Sequence, residues 1–441
     1  MRRKRILTDG LLSIALAMVL LTSVPDPARA DDLAELKTEI RKLQDENTRL
    51  QEQLNRQREV IEQLLRRIEA PEQQTKTPAQ PQEAAQPKPR GGHDARPPET
   101  EGASTLSETL AFVPKLEIRG FTDITFSAER RVNAGRATPS TFSLGQYDLF
   151  ITSKLTDTVS VLSETVLEFG EDNELVVDQE RLELKYAPSD LFSVRIGRMH
   201  TPLGYWNHAF HHGAWLQTTA FRPLLYSFED DGGILPVHSV GIQFFGLWRL
   251  QALDLDYTLS VVNGRGRRVT EVQNLQDRND AKAFTVLLGA APQFPPGLRF
   301  GVNAYLDKIP SDEDTPGRNG EIDELILGGY VVYLNRNLEL LAEVSRIHHR
   351  DRVSRLSFDT WGLYAQAAYQ LGRWKPYYRF DFIDFGNGDP YFVPNDSDTR
   401  KHTFGIRYDP FTWLGLKLEY SFSLWGDGET HAVSGQAAFT F

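Results

Sequence analysis

From Phe112 to Phe441, apolar residues recur at every second position in stretches of about 9–14 residues. Leu116, Ile118, Ile124 and Phe126 share one parity, and Lys115, Glu117, Arg119 and Asp123 share the other. Leu253, Leu255, Tyr257, Leu259 and Val261 alternate with Asp254, Asp256, Thr258 and Ser260, and Leu414 to Leu424 repeats the pattern. A period of two gives each strand one apolar face and one wet face. The pattern predicts sixteen strands, at 114–128, 145–155, 159–169, 177–187, 191–199, 238–248, 251–262, 282–290, 298–307, 322–334, 337–348, 357–371, 374–385, 399–409, 413–425 and 430–441. Tight connections such as Thr156–Thr158 and Asn335–Arg336 alternate with long ones at 129–144, 200–237, 263–281, 308–321 and 386–398.

A soluble sandwich or barrel buries its apolar face inside, whereas a transmembrane barrel turns that face to lipid around a polar lumen. Three features favour the second. Charges alternate deep into the segments, the strands are long enough to cross a bilayer at a tilt, and Phe126, Phe169, Trp248, Trp374, Trp413 and Trp425 sit near segment ends, where an interfacial girdle belongs. The fold class expected is therefore all-β, a 16-stranded antiparallel transmembrane β-barrel over 112–441. An even strand number returns both barrel ends to one side.

The first 111 residues read differently. Arg2, Arg3, Lys4 and Arg5 precede an apolar run from Leu11 to Leu21 and an Ala28-Arg29-Ala30 end, the order of a cleaved secretory signal over 1–30. An uncleaved anchor is the alternative, but the run is shorter than the usual span of about 20 residues. Over 31–70, Leu33, Ile40, Asn47, Leu54, Ile61 and Ile68 fall on one heptad position, and Leu36, Leu43, Leu50, Gln57 and Leu64 on the other, which predicts an α-helical coiled coil. Residues 71–111 carry Pro71, Pro78, Pro81, Pro87, Pro89, Pro97 and Pro98 without an apolar period, a Pro-rich disordered linker.

Composition narrows the function. The formal charge is -11, and becomes -14 once residues 1–30 take five basic and two acidic residues with them, which argues against nucleic acid as a partner. There is no Cys, hence no disulfide and no thiolate chemistry. Hydrophobic content of 40% is too low for a bundle of membrane helices. No G-x-S-x-G or Walker sequence occurs, and His208, His211 and His212 lack the Glu of H-E-x-x-H, so neither an enzyme, a metal nor another cofactor is expected. His348-His349 makes a weaker metal candidate still.

The segment Ile196-Gly197-Arg198-Met199-His200-Thr201-Pro202-Leu203-Gly204-Tyr205-Trp206-Asn207 is similar to the G-R-x-x-T-P-x-G stretch of phosphate-selective and related porins. The whole order, closing on Phe439 and Phe441 like the assembly signal of outer-membrane barrels, resembles the trimeric porins of Gram-negative outer membranes, in the branch with an N-terminal periplasmic coiled coil. That resemblance implies a homotrimer of water-filled barrels in the cell outer membrane, its stalk in the periplasm and available as a tether to the cell wall. It implies passive diffusion of small hydrophilic solutes and ions. A substrate-specific channel for an anionic or carbohydrate solute is the nearest alternative, and a barrel-borne enzyme or an envelope tether is the alternative of another class.

In trimeric porins the longest outer loop folds into the lumen, which here implicates 200–237, with Glu229, Asp230 and Asp231 near its end. Arg119, Arg181, Lys185 and Arg195 lie on the inward parity of neighbouring strands. An acidic loop facing a basic wall would set a transverse field across a constriction. The plainer alternative is that these charges pair with one another and solvate the lumen. The rest of the inward set is mixed, Glu164, Glu168, Asp254, Asp256, Glu339 and Glu343 against Arg299, Arg379, Arg407 and Lys417, with no lysine-rich cluster of a dedicated phosphate pore.

Overall fold

The computed structural model describes residues 115–132, 139–169, 175–210, 213–271, 275–315, 317–392, 397–426 and 428–441. The expected signal, coiled coil and linker, over 1–30, 31–70 and 71–111, lie outside the described residues.

The strands are β1 (Lys115–Val132), β2 (Thr141–Leu144), β3 (Tyr147–Lys154), β4 (Val159–Phe169), β5 (Leu175–Ser189), β6 (Phe192–His200), β7 (His238–Arg249), β8 (Leu253–Asn263) and β9 (Lys282–Pro292). They continue as β10 (Leu298–Ile309), β11 (Ile322–Leu334), β12 (Leu338–Asp351), β13 (Ser357–Tyr369), β14 (Trp374–Asp384), β15 (Thr399–Phe411), β16 (Leu414–Trp425) and β17 (Gly428–Thr440). Each pairs antiparallel with its neighbour, and β17 pairs with β1 from Phe121↔Thr440 to Val132↔Glu429, so the sheet closes. Closure removes every open edge.

Sixteen of these strands match the expected ones to within a few residues. The difference is β2, a short strand inside the expected loop 129–144. It covers the upper part of β1, pairing Ile124↔Leu144 to Ser127↔Thr141, while the lower part of β1 pairs with β3. Gly145 joins the two because a Cβ there would stand 2.0 Å from Asp123 Oδ1.

The barrel is apolar outside and polar inside. On β9, Phe284, Val286 and Leu288 are exposed and alternate with buried Ala283, Thr285 and Leu287. Leu116 and Ile118 are 60% and 63% exposed, whereas Glu164, Arg379 and Asp381 are all at 0%. An apolar band of this extent would drive association in water, and it suits hydrocarbon. Aromatic pairs ring the short-turn end: Trp248 with Tyr257 at 5.2 Å, Trp374 with Tyr408 at 4.3 Å and Phe411 with Trp413 at 5.1 Å between ring centres. Phe441 exchanges both backbone hydrogen bonds with Gly120 at 3.0 Å, and its ring lies where a Gly120 side chain would stand.

A long loop, residues 201–237, separates β6 from β7. It contains one short helix, α1 (Trp206–Ala209), and two 3-10 turns, Leu224–Tyr226 and Glu229–Asp231. Its Leu203, Trp206, Leu225, Tyr226 and Ile234 are buried in one cluster with Tyr305, Ile326, Tyr330, Leu341, Ile347 and Tyr364 of β10–β13. The loop is thus folded inside the barrel and packed against one side of it. Burying each such large side chain contributes about 1.5–3 kcal/mol.

Candidate functional site: a fastened loop and an open basic wall

The motif stretch launches the loop. Gly197 has φ of 132°, and a Cβ there would fall 1.8 Å from the Leu182 carbonyl oxygen. Arg198 Nε donates to the Glu180 carbonyl at 3.0 Å. The loop's two stems are tied where Thr201 N–H donates to Val237 O at 3.0 Å and Asn207 Nδ2 donates to both Thr201 O and Val237 O.

Inward side chains of β10 to β17 then hold the loop backbone along its length. Asn303 Oδ1 accepts the Gly204 N–H at 3.1 Å. Glu343 is the densest anchor. Its Oε2 accepts from Tyr205 N–H at 2.7 Å and Tyr226 Oη at 2.7 Å, and its Oε1 from Trp206 N–H at 2.8 Å and Tyr364 Oη at 2.6 Å. Gly204, at φ of 67°, allows this approach, since a Cβ would lie 1.7 Å from Tyr226 Oη and 2.2 Å from Glu343 Oε2. Further along, Glu339 accepts from Thr218 Oγ1, Glu419 from Ala220 N–H and Asp381 from Leu224 N–H, each at 2.9 Å. The cations take the carbonyls: Arg379 donates to Phe221 O and Arg222 O, Arg407 to Trp215 O and Gln217 O, and Lys417 to Thr219 O. Loop N–H groups meet carboxylates and loop carbonyls meet cations, as unpaired buried backbone groups would otherwise cost about 1–3 kcal/mol each.

The opposite wall stays open. A cavity of about 690 Å³ at the short-turn end is lined by β1 and β3–β7, including Lys115, Lys154, Arg181, Lys185, Arg195, Glu117, Glu183 and Phe245. A second of about 410 Å³ shares Glu117, Thr152 and Arg181 with it, and continues past Arg119, Phe121, Phe150 and Glu164 to His208, Gly213 and Leu216 of the loop. All four expected basic residues therefore line this wall.

Their acidic partners are on the wall too. Arg181 donates to Glu164 and reaches Glu183 at 4.0 Å, and Arg195 pairs with Glu183 at 3.2 Å. The carboxylates are almost fully covered (side chains 1% and 6% exposed), and the guanidiniums lie over them at 18% and 21%. Arg195 also stacks on Phe245 at 4.4 Å. Arg119 is 76% exposed and only 3.8 Å from Glu117. Along this wall Lys115, Arg119 and Lys154 meet solvent beside the exposed carboxylates of Glu117 and Asp157, while Glu164 and Glu183 stay covered.

Of the expected acids, Glu229 turns back into the loop stem, where its Oε1 accepts the Val237 N–H at 3.1 Å. The neighbouring Arg222 stacks on Phe228 at 3.7 Å. Neither Glu229 nor Asp231 lines the two cavities with Arg181, Lys185 and Arg195. The Asp230 side chain, like His211 and His212, lies outside the described residues. Sequence reasoning placed Glu339, Glu343, Arg379, Arg407 and Lys417 inward but did not recognise them as loop anchors. The loop's own conformation decides that role, and no periodicity encodes it.

The sequence matches no family model and no curated protein. Solved structures similar to this one include an anion-selective porin from Comamonas acidovorans, at 11% identity and a TM-score of 0.52, covering 75% of this chain and 100% of that one. The outer membrane channel DcaP of Acinetobacter baumannii aligns at 10% identity and 0.52, covering 74% and 97%. OmpT, an outer membrane protein of Vibrio cholerae in its trimer form, aligns at 10% and 0.50, covering 75% and 100%. The barrel of this chain, sixteen strands closed around an inward-folded loop, has the fold of the outer-membrane porins.

Proposed function

We propose that the protein is an outer-membrane channel for passive diffusion of small hydrophilic solutes, with a preference for anions. The observation that carries this reading is the asymmetric lumen. The loop is fastened to β10–β17, and the space left open runs along a wall where arginines cover their own carboxylates. A low-dielectric wall focuses the field of such groups, so the passage concentrates anions over cations. Because the acidic counterparts lie beneath the arginines, the proposed field points from the wall into the passage, and a facing set at Glu229, Asp230 and Asp231 is not required. The long-loop rim faces outward and the short-turn rim the periplasm, where the expected coiled coil would stand and tether. A homotrimer is proposed on the likeness to porins, with the trimer form of the Vibrio cholerae protein in support.

Full-length protein in planar bilayers under a KCl gradient tests the reading. Wild type should give anion-selective reversal potentials. Arg181→Gln with Lys185→Gln and Arg195→Gln should move them toward cation selectivity, because buried Glu164 and Glu183 are then uncovered. Unchanged reversal potentials would remove the basic wall from the mechanism, and absence of conductance steps would remove the channel.

A further inference from the structure

At the long-loop rim, the inward face of β11 and β12 carries an ionic cluster that the basic wall does not use. His349 of β12 is fully buried between two carboxylates. Its Nε2 lies 2.9 Å from Glu324 Oε1 of β11, and its Nδ1 lies 2.7 Å from Asp389 Oδ2, in the loop after β14. Glu324 Oε2 faces Arg265 Nε at 3.3 Å, in the loop after β8. Arg265 Nη2 in turn donates to Ile234 O of the inward-folded loop. One imidazole thus stands within an ionic chain that runs from the returning limb of that loop to Asp389 at the rim.

Rings and backbone converge on the same point. Phe392 stacks on His349 at 5.1 Å between ring centres, and Tyr391 meets it edge-on at 5.6 Å. Asp389 Oδ1 accepts the Tyr391 N–H at 3.0 Å. The Arg318 guanidinium lies 5.2 Å from the Tyr391 ring centre, and its Nη2 donates to Arg267 O at 2.9 Å and Pro310 O at 2.8 Å. Three outer segments, 264–271, 310–315 and 385–392, are therefore gathered around His349.

Geometry fixes the proton count of this bridge. Each contact between a ring nitrogen and a carboxylate oxygen needs a proton, and a neutral imidazole carries only one. The triad of Glu324, His349 and Asp389 therefore holds one proton more than a neutral ring with two carboxylates. With that proton the triad carries a single negative charge opposite Arg265, and without it the charge doubles. The other groups about the cluster do not replace it. Asp307 of β10 accepts the Arg265 N–H at 2.7 Å and the Tyr305 hydroxyl at 3.0 Å, and Asp351 of β12 accepts the N–H groups of its own turn, at Val353 and Ser354. Glu229 of the inward-folded loop adds negative charge near Arg265, and the second cation, Arg318, is held by backbone carbonyls. Losing the proton turns a nitrogen lone pair toward a buried carboxylate, and a buried charge without its donor is strongly destabilising.

We propose that this extra proton latches the outer loops to the inward-folded loop, and that alkali loosens the rim by removing it. The latch goes beyond the proposed conduction, and proteolysis reads it without any current, so the two readings fail separately.

The test uses full-length protein in detergent and chymotrypsin. Cleavage after Tyr391 and Phe392 is followed by mass spectrometry at about pH 7 and about pH 10, where carboxylates and arginines keep their charge. Rates are normalised to a free peptide substrate. Wild type should be protected at the lower value and cut roughly thirtyfold faster at the higher, the effect of one buried group losing its partner. The His349→Gln side chain can donate to only one of the two carboxylates, so this variant should be cut fast at both values. Asp389→Asn supplies the missing donor, because its amide nitrogen meets the neutral ring while its oxygen still accepts the Tyr391 N–H. That variant should stay protected at both values, which separates the ring from tyrosines that titrate near the upper one. Heat-modifiable gel migration checks that each barrel has formed. A wild-type rate that does not change with pH, protection of His349→Gln at the lower value, or alkaline cutting of Asp389→Asn would each overturn the latch. In planar bilayers the wild-type current should become noisier over the same change, and that of Asp389→Asn should not. A steady wild-type current would overturn the link through Arg265 to the inward-folded loop.

Discussion

Replacing Glu343 by alanine should release the first part of the long loop from the barrel wall. The carboxylate is 4% exposed and accepts four hydrogen bonds, two from backbone N–H groups at the start of α1 and two from buried tyrosines. Removing one member of a buried charged cluster costs about 3–5 kcal/mol, because the donors left behind lose their acceptor and only Tyr226 Oη keeps a long contact, to Leu203 O at 3.4 Å. Glutamine gives a graded comparison. Each carboxylate oxygen serves one N–H and one tyrosine, so the amide nitrogen must face one backbone N–H whichever way it is turned. The tyrosine can rotate its hydroxyl to accept, the N–H cannot, and one unsatisfied donor costs about 2 kcal/mol. The ratio of docked to undocked loop should fall roughly thirtyfold for Glu343→Gln and roughly 700-fold for a 4 kcal/mol loss in Glu343→Ala.

Both variants remove the same charge, so they separate fastening from electrostatics. The assays are single-channel conductance and liposome swelling with sugars of increasing size. Fastening predicts larger or noisier steps and a raised size limit for alanine, with a smaller effect for glutamine. Equal shifts in the two variants would assign the effect to charge. Wild-type conductance and sugar permeability in Glu343→Ala would refute the anchoring argument altogether.

Two further outcomes follow from other parts of the barrel. Hydrogen bonds from Arg268 and Thr315 hold Asp312 well below the usual carboxylate range of about 3.8, so its contribution to the outer-loop clamp is complete above that value and is lost as pH falls through its lowered value. Pepsin cleavage across 264–281 and 310–321 should therefore stay slow down to pH values below the ordinary carboxylate range, and Arg268→Ala should shift the onset upward. Deleting Phe441 removes both hydrogen bonds to Gly120 and the ring that covers it and stacks on Tyr147 at 5.4 Å. The yield of heat-modifiable, folded barrel should fall, and an unchanged yield would remove Phe441 from barrel closure.

The strands were legible because two-residue alternation is a local property, and a closed barrel forces it on every segment. Leu116, Ile118, Leu182 and Leu184 declare the outer face on sequence alone, and the structure exposes all four. β2 escaped because Thr141–Leu144 is too short to show a period and pairs with only the upper part of β1.

Sidedness was a harder inference, since parity separates two faces without saying which is inside. Ionic groups settle it. Glu164, Asp381 and Arg379 are fully buried on the lumen side, where they meet other charges or loop backbone. Hydrocarbon itself supplies no such partner, so an alternating strand with several charges on one face across the membrane's middle can close in only one sense.

Parity has no access to what the lumen holds. Arg181 and Arg379 are both inward arginines followed by an apolar residue, Leu182 and Phe380, and parity does not distinguish them. One lies over Glu164 beside open space, and the other is consumed by Thr219 Oγ1, Phe221 O, Arg222 O and Asp381. The difference is created by residues 201–237, whose path is selected by contacts far along the chain, Gly204 with Asn303 at 99 positions and Trp206 with Glu343 at 137. Lumen charge therefore divides into fastening and lining sets only once the loop has docked. Counting inward charges is a poor guide to the proposed selectivity for the same reason: much of the ionic inventory of β12–β16 neutralises loop backbone, and the wall of β1 and β3–β7 is left to face the open cavities.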